Sequence, residues 1–219
     1  MGNCRIVIGS SLLNDIKTDE TLVVIDNLRA SSTVVTALSV GVKEIIPVLD
    51  DGEAFLLKKK GAVIAGESGG IKIPGYDIGN SPVELVKTFK KSSFKKLALK
   101  TTNMIPLLTC LPGALICSSL NLETVADRLK GKNVCVIAVG GARGALEDLG
   151  VSLALIALRS GVSFDRNLPA CFTKESPAAR YLGEIGYGED VDFISRVSVF
   201  DVLPIYDGKT IKKAGGENG

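Results

Sequence analysis

Five carboxylates, Asp26, Glu67, Asp77, Glu147 and Asp148, stand in segments otherwise rich in glycine, hydroxyl and small residues. Acids in such settings are candidates to ligate a hard cation or to activate water. Arg29, Lys72 and Arg143 lie in or beside the same segments and supply the cations that an anionic ligand needs. Ser31, Ser32, Thr101, Thr102 and Asn103 add hydroxyl and amide groups suited to phosphate oxygens or metal-bound water. The chain contains no His. His-based triads, phosphohistidine chemistry and most zinc hydrolase sites are thereby excluded, and any metal must be held by oxygen, which points to Mg²⁺ or a similar ion. No Cys is followed six residues later by Arg, and no Asp-x-Asp opens a loop after a strand. The acids, hydroxyls and glycines that remain suit metal-assisted attack of water on phosphorus.

Each segment has a competing, structural reading. Val23-Val24-Ile25 runs into Asp26, and Arg29, Ser31 and Ser32 then open a helix whose N–H groups and dipole favour an anion. Equally, Asp26 reads as a loop residue and Ser31 as a helix cap. A covalent route would instead use Asp26 or Ser31 as nucleophile. The stretch from Gly66 to Pro82 has glycines that free the backbone to approach a ligand, with Glu67, Lys72 and Asp77 along it and Asn80 and Ser81 near its end. Its rival reading is an ordinary surface loop. Gly140-Gly141-Ala142-Arg143-Gly144 is a glycine-rich anion loop, but neither the G-x-G-x-x-G fingerprint nor a P-loop. Glu147 and Asp148, just after it, read equally well as first-turn acids that favour a helix start.

The elements needed to position these groups follow from periodicity. Short β-branched runs at Thr21–Ile25, Glu44–Val48, Ala62–Ala65, Lys96–Leu99, Ala114–Ser118 and Val134–Val139 read as buried strands. Helical segments alternate with them: Ser31–Val40, Ser81–Phe89 with a Ser-Pro start, Asn121–Leu129 with Asn121 as cap, and the long apolar Ala145–Arg159. The pattern is that of an α/β protein with a largely parallel sheet. Ligands in such sheets sit beyond the carboxyl ends of the strands, so the loops after Ile25, Leu99 and Val139 are expected to converge on one site. Residues 196–206 read as an edge or antiparallel strand. One domain is expected over residues 1–211, and residues 212–219 read as a disordered tail.

Composition narrows the partners. A net charge of +2 over 219 residues is too small for a nucleic-acid binder. The lysines at 58–60 and around 90–96 lack the interleaved aromatics of a stacking platform. No apolar run approaches the roughly 20 residues needed to span a bilayer, and the first residues show no signal-peptide pattern, so the expectation is a cytoplasmic chain without membrane partners. The five cysteines show no C-x-x-C spacing. Cys135, inside an apolar run, reads as a core residue. A small phosphate ester is the expected partner, and a homodimer stays open without an argument from sequence.

Four segments together, Val24 to Thr33, Gly66-Glu67 through Ile73-Pro74-Gly75-Tyr76-Asp77-Ile78-Gly79-Asn80-Ser81-Pro82, Thr101-Thr102-Asn103 and Leu146-Glu147-Asp148, resemble the 2-phosphosulfolactate phosphatase family over nearly the whole chain. The string from Pro74 to Pro82 is the most specific. The resemblance implies a three-layer α/β/α sandwich with a mostly parallel or mixed sheet. It also implies Mg²⁺-dependent conversion of 2-phosphosulfolactate to sulfolactate and phosphate, a step toward coenzyme M in methanogens. On that basis Asp26, Glu67, Asp77, Glu147 and Asp148 are the candidates for Mg²⁺ and water activation. Arg29, Ser31, Ser32, Thr101, Thr102 and Asn103 are candidates for phosphate oxygens, Lys72 and Arg143 for the remaining anionic groups, and Asn80, Ser81 and Gly141 for further substrate contacts. A regulatory, non-catalytic binder of a phosphorylated metabolite is the rival class. Met104 follows Thr-Thr-Asn where the family pattern has Gly, and is expected to narrow the cavity; Ala145 replaces a Ser, and Asn27 an apolar residue.

Overall fold

The computed structural model describes residues 2–9 and 16–215. In chain order the elements are β1 (Cys4–Ile8), β2 (Thr21–Ile25), α1 (Ala30–Val40), β3 (Glu44–Pro47), α2 (Asp51–Lys59), β4 (Val63–Ser68), β5 (Ile71–Lys72), α3 (Pro82–Lys91), β6 (Lys96–Lys100) and α4 (Met104–Leu108). They continue with β7 (Leu115–Ile116), α5 (Leu122–Leu129), β8 (Val134–Ala138), α6 (Leu146–Arg159), α7 (Asn167–Glu175), α8 (Pro177–Glu184), α9 (Gly188–Ile194), β9 (Pro204–Tyr206) and β10 (Ile211–Lys213).

β2 and β8 are almost wholly apolar, as strands covered on both faces must be. The two-residue period of the strand then divides their side chains. Val23, Ile25, Val134 and Val136 pack with Leu122, Val125, Leu129, Val151 and Leu155 of α5 and α6. Val24, Cys135 and Ile137 join Val34, Val35, Leu38 and Leu85 of α1 and α3 in a second core. In β6, Leu97 and Leu99 turn toward that second core while Ala98 packs with Ala54 of α2 and Tyr76. Helices thus cover both faces of one sheet. Each fully buried Leu, Ile or Val contributes roughly 1.5–3 kcal/mol, so these three clusters are the main source of stability.

Among the described residues the sheet has ten strands in the order β1-β8-β2-β7-β9-β10-β3-β6-β4-β5. It is mixed. β1, β8, β2 and β7 form one parallel block, and β3, β6 and β4 another. The antiparallel pair β9–β10 splices them, β9 pairing with β7 and β10 with β3. The splice lays the two blocks in opposite senses. Twist of roughly 20–25° per strand, accumulated over the strands between β2 and β4, is the physical means of turning their carboxyl ends back toward one cavity.

Several expectations shift by a residue or two, and some change kind. The strand expected over residues 196–206 shrinks to β9, which is antiparallel and lies inside the sheet rather than at its edge. Lys212 and Lys213, read as tail, belong to β10, while residues 216–219 of that tail lie outside the described residues. The expected cap Asn121 accepts the Ser118 N–H at 2.9 Å and donates to the Ile116 and Val202 carbonyls. It therefore completes the capping box of a 3₁₀ turn at residues 119–121, whose cap is Ser118, and makes no side-chain cap bond to α5, which follows. Among the described residues no helix is long and apolar enough to cross a membrane.

One glycine sets how closely two helices approach. A Cβ placed on Gly150, inside α6, would stand 2.4 Å from the Cβ of Phe172 on α7. Alanine has the better helix propensity by about 1 kcal/mol, but overpacking of this severity costs typically 1–3 kcal/mol. Gly150→Ala is therefore expected to lower the thermal midpoint measured by circular dichroism; an unchanged or raised midpoint would show that α7 is free to retreat.

Candidate active site

The loops after β2, β4, β6 and β8 line one cavity of about 150 Å³. Asp26, Glu67, Glu147 and Asp148 bring four carboxylates to its wall, against the two guanidinium groups of Arg29 and Arg143. Asn80, Thr102, Asn103 and Gly141 also line it. Asp26 and Thr102, distant in sequence, are thus on one surface, as the convergence of strand-end loops requires.

Asp26 follows β2 directly, and its carboxylate accepts the Ala30 N–H at 3.3 Å at the start of α1. Burial pushes this carboxyl up to about 7; the Glu67 and Glu147 carboxylates act in the same direction, while the Ala30 N–H and Arg29 oppose it. Asp148 is held well above the usual carboxylate range by burial and by the charges of Asp26 and Glu147. Its two oxygens accept the Asn27 N–H at 2.7 Å and the Gly140 N–H at 2.8 Å, tying the loop after β2 to the loop after β8. Burial likewise raises Glu147. Its Oε2 is buried and has no hydrogen-bond partner, and the same is true of Asn80 Oδ1. Buried acceptors are almost always paired, so two orphans on one cavity wall mark a place where a donor or cation is wanted.

Glu67 is committed differently. Its oxygens accept the Thr102 N–H at 2.6 Å, the Gly70 N–H at 2.6 Å and the Thr102 hydroxyl at 2.9 Å. It closes the β4–β5 hairpin, whose two-residue turn needs positive φ at both positions, supplied by Gly69 at 61° and Gly70 at 94°. The second glycine loop folds on itself through paired hydrogen bonds between Gly141 and Gly144, both 3.0 Å, and carries Arg143 at its tip. Gly141 has no side chain because a Cβ there would meet Asn103 Nδ2 at 2.6 Å. That contact brings Thr101-Thr102-Asn103 against the loop.

Six of the expected contacts do not line the cavity. Asp77 sits outside it, its carboxylate accepting the Ile64 N–H at 3.0 Å and pairing with Lys58 at 2.6 Å. Lys72 donates to the Asp77 carbonyl at 2.9 Å. Both groups hold their own loop in shape. Ser81 caps α3, accepting the Glu84 N–H at 3.0 Å and donating to Asp190 at 2.7 Å. Ser31 is fully buried, accepting the Asp26 N–H at 2.9 Å and donating to the Met104 sulfur at 3.4 Å, so its hydroxyl is not placed as a nucleophile. Ser32 donates to the Asn27 carbonyl at 2.8 Å, and Thr101 accepts the Ile105 N–H at 3.0 Å at the start of α4. Met104 is buried in the core rather than in the cavity, so it does not narrow it. Asn27, also buried, accepts the Ser119 N–H at 2.9 Å and donates to Thr173 at 3.0 Å.

Two groups escaped the sequence reading. Asp190 is 1% exposed and accepts Arg29 Nη1 at 2.8 Å. In sequence it is one of two acids at a helix start and reads as an ordinary first-turn carboxylate. Tyr181, on α8, lines the cavity and lies under Arg143.

An open, mixed α/β sheet with a cavity at its strand ends, where buried carboxylates meet two arginines, has the make-up of an enzyme cleft. The comparisons make the class specific. The family described as 2-phosphosulpholactate phosphatase matches residues 8–209, and the chain belongs to that family. It is 35% identical over 208 residues to a protein of Carboxydothermus hydrogenoformans named "Probable 2-phosphosulfolactate phosphatase", covering 85% of this chain and 86% of that one. It is 34% identical over 201 residues to a protein of Thermotoga petrophila with the same name, with 84% and 88% covered. It is 32% identical over 203 residues to the "2-phosphosulfolactate phosphatase" of Methanothermobacter thermautotrophicus, with 85% and 87% covered. The chain is accordingly a phosphoric monoester hydrolase.

The raised Asp26 carboxyl has a consequence for stability. A buried acid whose folded value is about 7 against an ordinary 3.8 binds more protons folded than unfolded between those values. Folding stability in chelator is therefore expected to fall as pH rises through that window and to level off above it. Asp26→Asn removes the effect. In urea melts it should be more stable than wild type at about pH 8, with the difference closing toward about pH 4; equal stability at both pH values would contradict the assignment.

Proposed function

We propose that this chain hydrolyses 2-phosphosulfolactate to sulfolactate and phosphate with Mg²⁺, in the cytoplasm and as a step of coenzyme M biosynthesis. Family membership supports the reaction and the substrate. The observation that carries the metal is the orphaned Glu147 Oε2, on a wall where four carboxylates meet two guanidinium groups. That excess of acid would repel an anionic ester unless a cation offset it.

Among the described residues no three Asp, Glu, Cys or His side chains are already arranged around one point as a metal cage. Mg²⁺ does not require one, because it usually keeps several waters and takes only one or two protein carboxylates beside substrate phosphate. Glu147, through its free oxygen, fits as such a ligand. When bound, the ion neutralises charge on the phosphoryl oxygens and lowers the pKa of its water. Asp148 and Glu67, whose oxygens are taken by N–H and hydroxyl donors, hold the loops in register. Asp26, on the same wall and with one long hydrogen bond, is placed to take the proton of the attacking water. Asn103, Thr102 and Arg143 border the space left for the ester. As the water oxygen bonds to phosphorus, the bond from phosphorus to the alcohol oxygen breaks, and the proton that Asp26 takes from the water passes to the departing oxygen.

Phosphate release from synthetic 2-phosphosulfolactate, measured with Mg²⁺ and with chelator, tests the reading. Turnover is expected only with the ion. Glu147→Gln should weaken activity or Mg²⁺ affinity by about 100-fold, the scale of losing a directing or ligating group, whereas Asp77→Asn should stay within about twofold because Asp77 lies off the cavity. Tight binding of the ester without phosphate release would favour the regulatory binder instead.

A further inference from the structure

Two arginines reach the cavity wall, and each lies on a tyrosine ring, but only one has a carboxylate. Arg29 is 3% exposed; its Nη1 donates to Asp190 at 2.8 Å and its Nη2 to the Gly70 carbonyl at 2.5 Å. Its Cζ stands 4.1 Å from the Tyr187 ring centroid. The positive charge is compensated and the donors are engaged, so Arg29 braces the β4–β5 turn. Arg143 is different. It is exposed at the tip of its glycine loop, its Cζ stands 3.4 Å from the Tyr181 ring centroid, and among the described residues it has no ion pair. Tyr181 is itself fixed, because its hydroxyl donates to the Gly69 carbonyl at 2.8 Å.

Stacking occupies the face of a guanidinium and leaves its N–H edges free in the plane, where they match the paired oxygens of an acid. A long side chain on a glycine loop would otherwise sample many rotamers, and the ring removes that freedom before the ligand arrives. From this geometry, and resting on the substrate proposed above, we infer that Tyr181 is a positioning residue. It holds Arg143 to read a second acidic group, carboxylate or sulfonate, on the alcohol half of the ester. Arg29, although nearer the reaction-bearing Asp26 in sequence, does not serve that purpose.

Three esters separate the contributions: ethyl phosphate with no second acid, 2-phospholactate with a carboxylate, and 2-phosphosulfolactate with both acids. Tyr181→Leu is expected to raise KM about tenfold for an ester whose second acid Arg143 reads, with kcat nearly unchanged and ethyl phosphate unaffected. A rise already present with 2-phospholactate assigns the carboxylate; a rise only with 2-phosphosulfolactate assigns the sulfonate. Arg143→Gln should reproduce the pattern, and the double variant should be no worse than Arg143→Gln alone. Tyr181→Phe keeps the ring and should stay within about threefold of wild type. An equal KM rise for all three esters, a loss in kcat alone, or a Tyr181→Phe variant as damaged as Tyr181→Leu would each overturn the inference. If the wild-type enzyme released phosphate from none of the esters, the proposed reaction would fall. The same three-ester comparison, read as Kd by calorimetry, would then still decide the role of Tyr181.

Discussion

Asp26, Glu147 and Asp148 lie buried on one cavity wall, and their mutual repulsion is the constraint around which the rest is built. Burial raises all three carboxyls, and like charge adds to it at Asp26 and Asp148. The fold answers with backbone donors: α1 turns its first N–H, that of Ala30, toward the Asp26 carboxylate, and Asp148 takes one N–H from each of two loops. Preorganised dipoles of this type stabilise charge without reorganising when a ligand binds. They do not reach Glu147 Oε2, which is left for a cation.

The residues that separate this chain from the family pattern, Asn27, Met104 and Ala145, do not line the cavity. Asn27 turns its amide inward, where it links Ser119 and Thr173, and offers only its N–H to Asp148. Met104 turns into the core and meets the Ser31 hydroxyl. Neither side chain enters the cavity. Ala145 begins α6 without a side-chain cap, and Asp148 in the first turn gives its oxygens to the Asn27 and Gly140 N–H groups of two loops.

The sheet's long strands were legible because buried β-branched runs such as those of β2 and β8 have few other uses, and so were the loops that follow them. Asp26, Glu67 and the Glu147-Asp148 pair could be named from their neighbours in sequence. Their division of labour could not, since a carboxylate that ligates and one that accepts two N–H groups look identical in one dimension. Asp77 was misplaced for the same reason: its glycine-rich context signalled a special loop, and the special feature is the loop's own closure on Lys58. Asp190 and Tyr181 left no local signal, because they come from C-terminal helices whose contact with the cavity is purely tertiary. β9 and β10, three residues each, are too short for any period to show.

Those two short strands have a consequence for biosynthesis. They are the last described strands to leave the ribosome, yet they occupy the interior of the sheet and are its sole hydrogen-bonded link between the two parallel blocks among the described residues. Until they arrive, β7 and β3 must wait with unpaired backbone edges. The nascent chain therefore passes through a stage of two half-sheets whose open rims are exposed to self-association or to chaperones, and the cleft they jointly frame comes into being only once β9 and β10 have been made.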